Sequence, residues 1–291
     1  MKIDALMPIR QLGRGTLCEV LLVEDAKGKR YALKRALSEY EDKAGVARLL
    51  RDEARVNGMF SHAAIPKLIA YADDQLVFEA LDGTTLDEML PKKAALSIAS
   101  AAFVVDVVLD ALAHVHAKSV VHRDVGPHNV VVTRSGDVAL IDFGIAMDDD
   151  RERWTAAGAV RGTLGYLSPE AVRGEPVDAR ADLFAAGALF YRLVTGASPF
   201  KGKGPRQILN AVATGAFVRA ADVDDTFAKF DPFFAKSLAA NVADRFDDAA
   251  EMRLALASIV EFNRDRERNA LALVVKPHLG AVDDVRGPTL T

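Results

Sequence analysis

Two aspartates and an asparagine stand at intervals that suit phosphate and metal chemistry. Asp124 lies in His122-Arg123-Asp124-Val125-Gly126-Pro127-His128-Asn129, and Asp142 opens Asp142-Phe143-Gly144. A short predicted hairpin separates the two motifs, so the three oxygen-bearing side chains can meet at one place. An exposed Asp124 can orient a hydroxyl and accept its proton. Asn129 and Asp142 offer the hard oxygens that Mg2+ prefers, with coordination positions left for water and phosphate oxygens. Taken singly, each aspartate reads as a surface or turn-capping residue. For the set in this order, chance is a remote explanation.

Two further signals precede these. Gly13-Arg14-Gly15-Thr16-Leu17-Cys18-Glu19-Val20 places two glycines in a loop that leads into a strand. Such a loop lets backbone N–H groups approach phosphate oxygens closely, although two glycines beside a strand also make an ordinary turn. Tyr31-Ala32-Leu33-Lys34 ends an apolar strand on a lysine, and Glu53 follows on a predicted helix. A buried ammonium needs an anionic partner, because desolvating an unpaired ammonium costs several kcal/mol. Glu53 or phosphate oxygens can supply one. On its own segment, the plainer reading is that Lys34 snorkels at the strand edge.

The elements that must position these residues follow from periodicity and turn signals. Glu19–Glu24 and Arg30–Arg35 read as strands around Lys27-Gly28, and Arg48–Phe60 as a helix with an apolar stripe at Leu49, Leu50, Val56 and Phe60. Lys67–Ala72 and Gln75–Ala80 read as strands around Asp73-Asp74. Ser97–Ala117 is a long helix with few charges, buried on most sides, and Asn129–Thr133 and Asp137–Ile141 form a hairpin through Arg134-Ser135-Gly136. Beyond Pro169 the pattern is helical over Asp182–Thr195, Pro205–Thr214, Phe230–Ala240 and Asp248–Asn263. A β-rich first part and a helix-rich second part predict two lobes of an α+β fold, with a hinge at Glu79–Gly83. The tail from about Leu271 carries no clear pattern.

Composition narrows the function classes. Of 291 residues, 50% are apolar and 27% charged, enough for a core and a wet surface. A net charge of -4 gives no general reason to bind nucleic acid or an anionic membrane. The single cysteine, Cys18, cannot form an internal disulfide, and a reducing cytoplasmic compartment is the expected home. The apolar runs Ala94–Val105 and Leu183–Val194 fall short of the roughly 18 residues that span a bilayer, so no membrane span is expected.

Together these motifs resemble the eukaryotic-type (Hanks-type) protein kinase family, in its bacterial serine/threonine branch. The likeness runs from about Ile9 to Phe262. It rests on Gly13 and Gly15, Lys34, Glu53, His122-Arg123-Asp124, Asn129, Asp142-Phe143-Gly144 and Gly162-Thr163-Leu164-Gly165-Tyr166-Leu167-Ser168-Pro169-Glu170. The resemblance implies a bilobal kinase-like fold: an N-lobe over 1–82 with one main helix, a mostly helical C-lobe over 83–270, and a tail over 271–291. It further implies transfer of the γ-phosphoryl group of ATP to Ser/Thr hydroxyls of protein substrates. Mg2+, or Mn2+ in its stead, would assist, with autophosphorylation as one outcome.

Residue by residue, the resemblance gives Lys34, held by Glu53, to the α- and β-phosphates. Asp142 and Asn129 fall to the metal and Asp124 to the acceptor hydroxyl. Val20, Ala32 and Val131 become walls of an adenine pocket, with Phe78 narrowing its back and backbone groups of Glu79–Leu81 meeting the adenine edge. Asp182 and Arg245 become anchors of the large lobe, Arg245 in a buried ion pair with Glu170. Arg123 would bind a phosphate on the activation segment, with Thr155 the best-placed acceptor and Thr163 a contact of the catalytic aspartate. The acidic run Asp148-Asp149-Asp150 with Glu152 is a solvated loop or a fixed substitute for that phosphate.

Two positions depart from the family pattern. Cys18 stands where a third loop glycine is usual, and Gly126 stands where serine/threonine kinases usually carry lysine. The missing cation normally offsets charge on the transferring group, a contact worth about 10²–10³ in rate. An active kinase is the favoured expectation. The alternative is a kinase-like scaffold that binds nucleotide or a protein partner without useful catalysis.

Overall fold

The computed structural model describes residues 2–40, 44–91, 93–143 and 163–279. The chain divides into two compact units, each discontinuous in sequence: residues 1–89, 127–145 and 268–291 form the first, and 90–126 with 146–267 the second. The consecutive segments 1–82, 83–270 and 271–291 do not coincide with these units, and residues 79–83 lie wholly inside the first. The physical reason is strand pairing. Residues 83–85 pair with the hairpin that carries Asn129 and Asp142, and so draw it into the β-rich unit.

In the first unit, β1 (Met7–Arg14), β2 (Cys18–Glu24), β3 (Arg30–Ala36), β4 (Leu68–Ala72) and β5 (Gln75–Glu79) form an antiparallel sheet in the order β1-β2-β3-β5-β4. β1 is an addition to the expected strands. Its pairing with β2 slips twice, between Pro8 and Arg10 and between Gln11 and Gly13, and such bulges blur the period-2 signal. Its central strands β2, β3 and β5 are buried on both faces. Val20, Ala32, Ala36, Leu76 and Phe78 meet helix α1 (Ala44–Asn57) on one face; Leu21, Val23, Tyr31, Leu33 and Val77 gather on the other, with Ile3 of a short 3-10 turn. Two buried faces explain the near-continuous apolar run of β2.

Helix α1 was expected over Arg48–Phe60, but it begins at Ala44 and stops at Asn57. Its buried stripe is Val46, Leu50, Glu53 with Ala54, and Asn57, a spacing that keeps Glu53 on the sheet-facing side. Past the helix, Phe60 leaves the apolar stripe and packs its ring against Phe143, centroids 4.9 Å apart. The turn Asp73-Asp74 takes φ of 50° and 55° at both residues, the left-handed pair that a two-residue hairpin requires.

A second, three-stranded sheet in this unit joins β6 (Gly83–Thr85), β7 (Val130–Thr133) and β8 (Val138–Leu140). The one-turn helix α2 (Leu86–Met89) follows β6. The β7–β8 turn closes through Gly136 N–H to the Thr133 carbonyl at 2.8 Å. Arg134 forks onto the Asp82 carboxylate at 2.6 and 3.2 Å.

The second unit is helical: α3 (Ile98–His116), α4 (Pro169–Arg173), α5 (Arg180–Thr195), α6 (Pro205–Thr214), α7 (Asp231–Ser237), α8 (Ala249–Ile259) and the start of α9 (Arg264–Val275). α3 packs on α5 and α8. The Ser97 hydroxyl caps α3 by accepting from the Ser100 N–H at 3.1 Å. At Gly187 in α5, a Cβ would lie 2.4 Å from the Ser237 hydroxyl, so glycine is what lets α5 and α7 approach. An aromatic cluster of Phe190, Phe230, Phe233 and Phe234 fills the space between them.

Two expectations are corrected here. The apolar run at α3 continues to His116, which makes this helix long and apolar enough to cross a membrane; two-thirds of it is buried inside the protein (67%). The helix itself matches the expected Ser97–Ala117; the apolar run was expected to stop at Val105 because Asp106 and Asp110 interrupt the pattern. Both carboxylates are paired with Arg253 of α8. Residues 271–275, expected to carry no clear pattern, are the end of α9, with Leu271 and Val275 fully buried.

Candidate active site

Strand alternation places Lys34 on the same face of β3 as Ala32 and Ala36, toward α1, where Glu53 waits on the buried stripe. Its ammonium donates to Glu53 Oε1 at 2.7 Å and to Asp142 Oδ1 at 2.8 Å. Snorkelling, the plainer reading of this segment alone, is thus corrected: Lys34 is buried and paired, because the strand face it occupies is covered by α1. Asn57, one turn beyond Glu53, donates from Nδ2 to the Glu53 carbonyl at 2.9 Å. Asn57 was not singled out in the sequence. The signal available was its i,i+4 spacing from Glu53, which puts a polar side chain on an otherwise apolar stripe.

Asp142 and Asn129 sit at the open end of the β7–β8 hairpin. Register pairs Val130 with Leu140, and the Ile141 N–H donates to the Asn129 carbonyl at 2.9 Å. The hairpin is tied to the rest of the unit where the Leu140 N–H donates to the Ala64 carbonyl at 2.8 Å. Asp142 itself takes a left-handed φ of 58°, a conformation that non-glycine residues hold only where the surroundings enforce it.

The electrostatics of this cluster are lopsided. Burial penalises the Lys34 ammonium, but Asp142 and then Glu53 outweigh that penalty and keep it charged far above the usual lysine range. Burial pushes the Glu53 carboxyl up to about 7, against the attraction of Lys34 and with added repulsion from Asp142. One buried cation therefore faces two carboxylates. Above it opens a cavity walled by Val20, Phe78, Ile141 and Phe143, with Lys34, Glu53 and Asp142 at its polar end.

The remaining candidates of this unit fall as follows. Val20, Ala32 and Phe78 share one buried cluster, and Val131 is buried in the second sheet. Glu79 is exposed and Leu81 half-buried. The Glu79 N–H already donates to the Lys67 carbonyl at 2.9 Å, so of the backbone groups expected to meet an adenine edge this donor is committed. Gly13 is paired with Val20 at the end of β1, and the Gly15 N–H donates to the Cys18 carbonyl at 2.8 Å. Both glycines thus bound a tight turn.

In the second unit, the His122–Asp124 segment is held by Asp182 near the start of α5. The Asp182 carboxylate accepts from the backbone N–H of His122 and of Arg123, each at 2.8 Å, and meets His116 Nε2 at 2.7 Å. A carboxylate only accepts, so Nε2 is the protonated nitrogen. His116, the last residue of α3, is a second positioning side chain that the sequence reading passed over. The Asp124 N–H donates to His122 Nδ1 at 3.3 Å, and Arg123 takes a φ of 67°. The Glu170–Arg245 ion pair is present as expected, bidentate at 2.9 and 2.7 Å and fully buried. Thr163 opens a 3-10 turn, Thr163–Tyr166. Thr155, the acidic run at 148–150, Glu152, Gly144 and Gly162 lie outside the described residues.

Comparison with known proteins accounts for these features together. Residues 7–260 match the protein kinase domain. A probable serine/threonine-protein kinase of Corynebacterium efficiens is 32% identical over 292 residues, covering 94% of this chain and 43% of its own length. Serine/threonine-protein kinase PknL of Mycobacterium tuberculosis is 34% identical over 235 residues, covering 79% and 59%. The chain thus spans roughly two-fifths to three-fifths of the length of these relatives. With 254 consecutive residues matched and a strand lysine joined to a helix glutamate and to the aspartate of Asp-Phe-Gly, the chain belongs to the protein kinase family.

Proposed function

We propose that this chain is a serine/threonine protein kinase that transfers the γ-phosphoryl group of ATP to protein hydroxyls. The observation that carries the reading is the Lys34 ammonium set between Glu53 and Asp142 at 2.7 and 2.8 Å inside a family-matched segment. Lys34 is held charged and aimed, ready to exchange part of its carboxylate contact for phosphate oxygens. Asp142 and Asn129 fit a magnesium site: their oxygens are hard, and the Ile141–Asn129 hydrogen bond carries them on adjoining strand ends. Mg2+ bound there would neutralise phosphate charge.

The buried positions Val20, Ala32, Phe78 and Val131 would enclose the adenine, and Asp124 would orient the acceptor hydroxyl. Protein substrates, the role of Arg123 with Thr155 and that of Thr163 rest on the family resemblance. A cytoplasmic setting rests on the lone thiol of Cys18.

Gly126 supplies neither charge nor donor where the family usually has lysine, and we expect a slow enzyme. Transfer of radiolabelled phosphate to general protein substrates by wild type, Asp124→Ala and Gly126→Lys tests this reading. Activity in wild type, its loss in Asp124→Ala and a gain in Gly126→Lys are the expected results. Equal silence of wild type and Asp124→Ala, with ATP bound, would leave a nucleotide-binding scaffold instead.

A further inference from the structure

Residues 268–275 of α9 lie beyond the matched segment 7–260, yet they belong to the unit that holds Lys34, Glu53 and Asp142. Their contact with the β7–β8 turn is backbone to backbone. Gly136 sits at the turn with a φ of +83°, and a Cβ there would lie 1.8 Å from the Arg268 carbonyl oxygen and 2.9 Å from the Ala272 nitrogen. No side chain fits between them. Leu271 and Val275, spaced i,i+4 on the inner face, are fully buried, and Arg268 adds a loose pair with Asp137 at 3.8 Å.

The hairpin beneath is slight. β7 and β8 have four and three residues and β6 only three, and short hairpins are marginal without something packed on them. Its turn end is the helix contact and its open end carries Asn129 and Asp142. At about 3.3 Å per residue, the two ends are roughly 10 Å apart. A tilt at the turn is therefore delivered to the two oxygen ligands.

We infer that residues 268–275 are a positioning clamp: docked on Gly136, they fix the hairpin so that Asn129 and Asp142 present their oxygens together to a divalent cation. The inference rests on the proposed magnesium role of those two residues. Gly136, Leu271 and Val275 are positioning residues, acting through the hairpin and touching neither nucleotide nor metal.

The test uses the full chain and ADP as probe, titrated with and without Mg2+. Gly136→Ala and Leu271→Ala should reduce the Mg2+-dependent gain in ADP affinity at least fivefold and leave Mg2+-free affinity within twofold, because Val20, Ala32 and Phe78 are untouched. Leu256→Ala, in a buried position of α8, should lower the melting temperature without changing that gain. An unchanged Mg2+ increment in the folded clamp variants would overturn the inference. Hydrogen exchange of the wild type decides the matter even if those variants do not fold. The amides of 271–275 and of Val138–Leu140 should open as one unit, and helix amides opening a hundredfold more readily than the hairpin would also overturn it. Failure of the wild type to bind ADP at all would count against the proposed function, and the exchange comparison would still judge the clamp.

Discussion

Two of the buried charge clusters among the described residues are built on opposite principles. In the second unit, Arg245 and Glu170 form a one-to-one bidentate pair, two further guanidinium N–H groups reach the Ala239 and Arg180 carbonyls at 2.9 and 3.2 Å, and the Phe184 ring lies 5.0 Å away. Charge is balanced one to one and four of the five N–H donors are hydrogen-bonded, which is what makes a buried ion pair tolerable. In the first unit, Lys34 faces two carboxylates, and the Glu53 carboxyl is forced up to about 7. A balanced cluster is a structural rivet. An unbalanced one, set at the end of a cavity, is a place where another cation has work to do.

This contrast can be broken most severely at the rivet. Arg245→Met leaves Glu170 buried and unpaired, and the free energy of unfolding in urea should fall by about 3–5 kcal/mol. A loss under about 1 kcal/mol would erase the distinction between the clusters. Lys34→Met should instead act on chemistry. Phosphoryl transfer should drop about 10²–10³-fold, the scale of one lost electrostatic contact, and stability should suffer less than in Arg245→Met because Glu53 can take up a proton.

A subtler prediction concerns pH. Because the folded-state pKa of Glu53 is raised from 4.5 to about 7, the folded protein holds the proton more tightly than the unfolded chain across that window. Stability contributed by the protonated carboxyl is thus lost as pH rises toward and through 7. Urea midpoints of wild type relative to Glu53→Gln should fall between pH 5 and 8, and a flat difference would show Glu53 already ionised throughout. The smallest effect sets the scale of a neutral bond. Ser97→Ala removes the α3 cap and should cost about 1 kcal/mol in the same urea measurement.

Much of the active-site cluster was legible because its residues are ordered by short-range spacing. Lys34 follows an apolar strand on the face shared with Ala32, and Glu53 recurs with Val46 and Leu50 on one helix stripe. Asn129 and Asp142 flank a hairpin whose register any period-2 reading yields. Elements defined by long-range contact were harder to read. β1 escaped because two bulges break its alternation. α1 was misplaced by several residues because Phe60, apolar and at helical spacing, serves the Phe143 ring instead. Asn57 and His116 act through hydrogen bonds to Glu53 and Asp182, partners that spacing along the chain does not single out by chemistry.

From the sequence alone come the family, the α+β alternation and the residues proposed to hold phosphate and metal, because motif spacing and side-chain periodicity are local properties of the chain. The tertiary structure decided that Lys34 engages both carboxylates, that Asp182 gathers the His122–Asp124 backbone, and that the last helix rests on Gly136. These contacts join residues from 19 to more than a hundred positions apart, and only burial of both partners in one place makes the contact worth its desolvation.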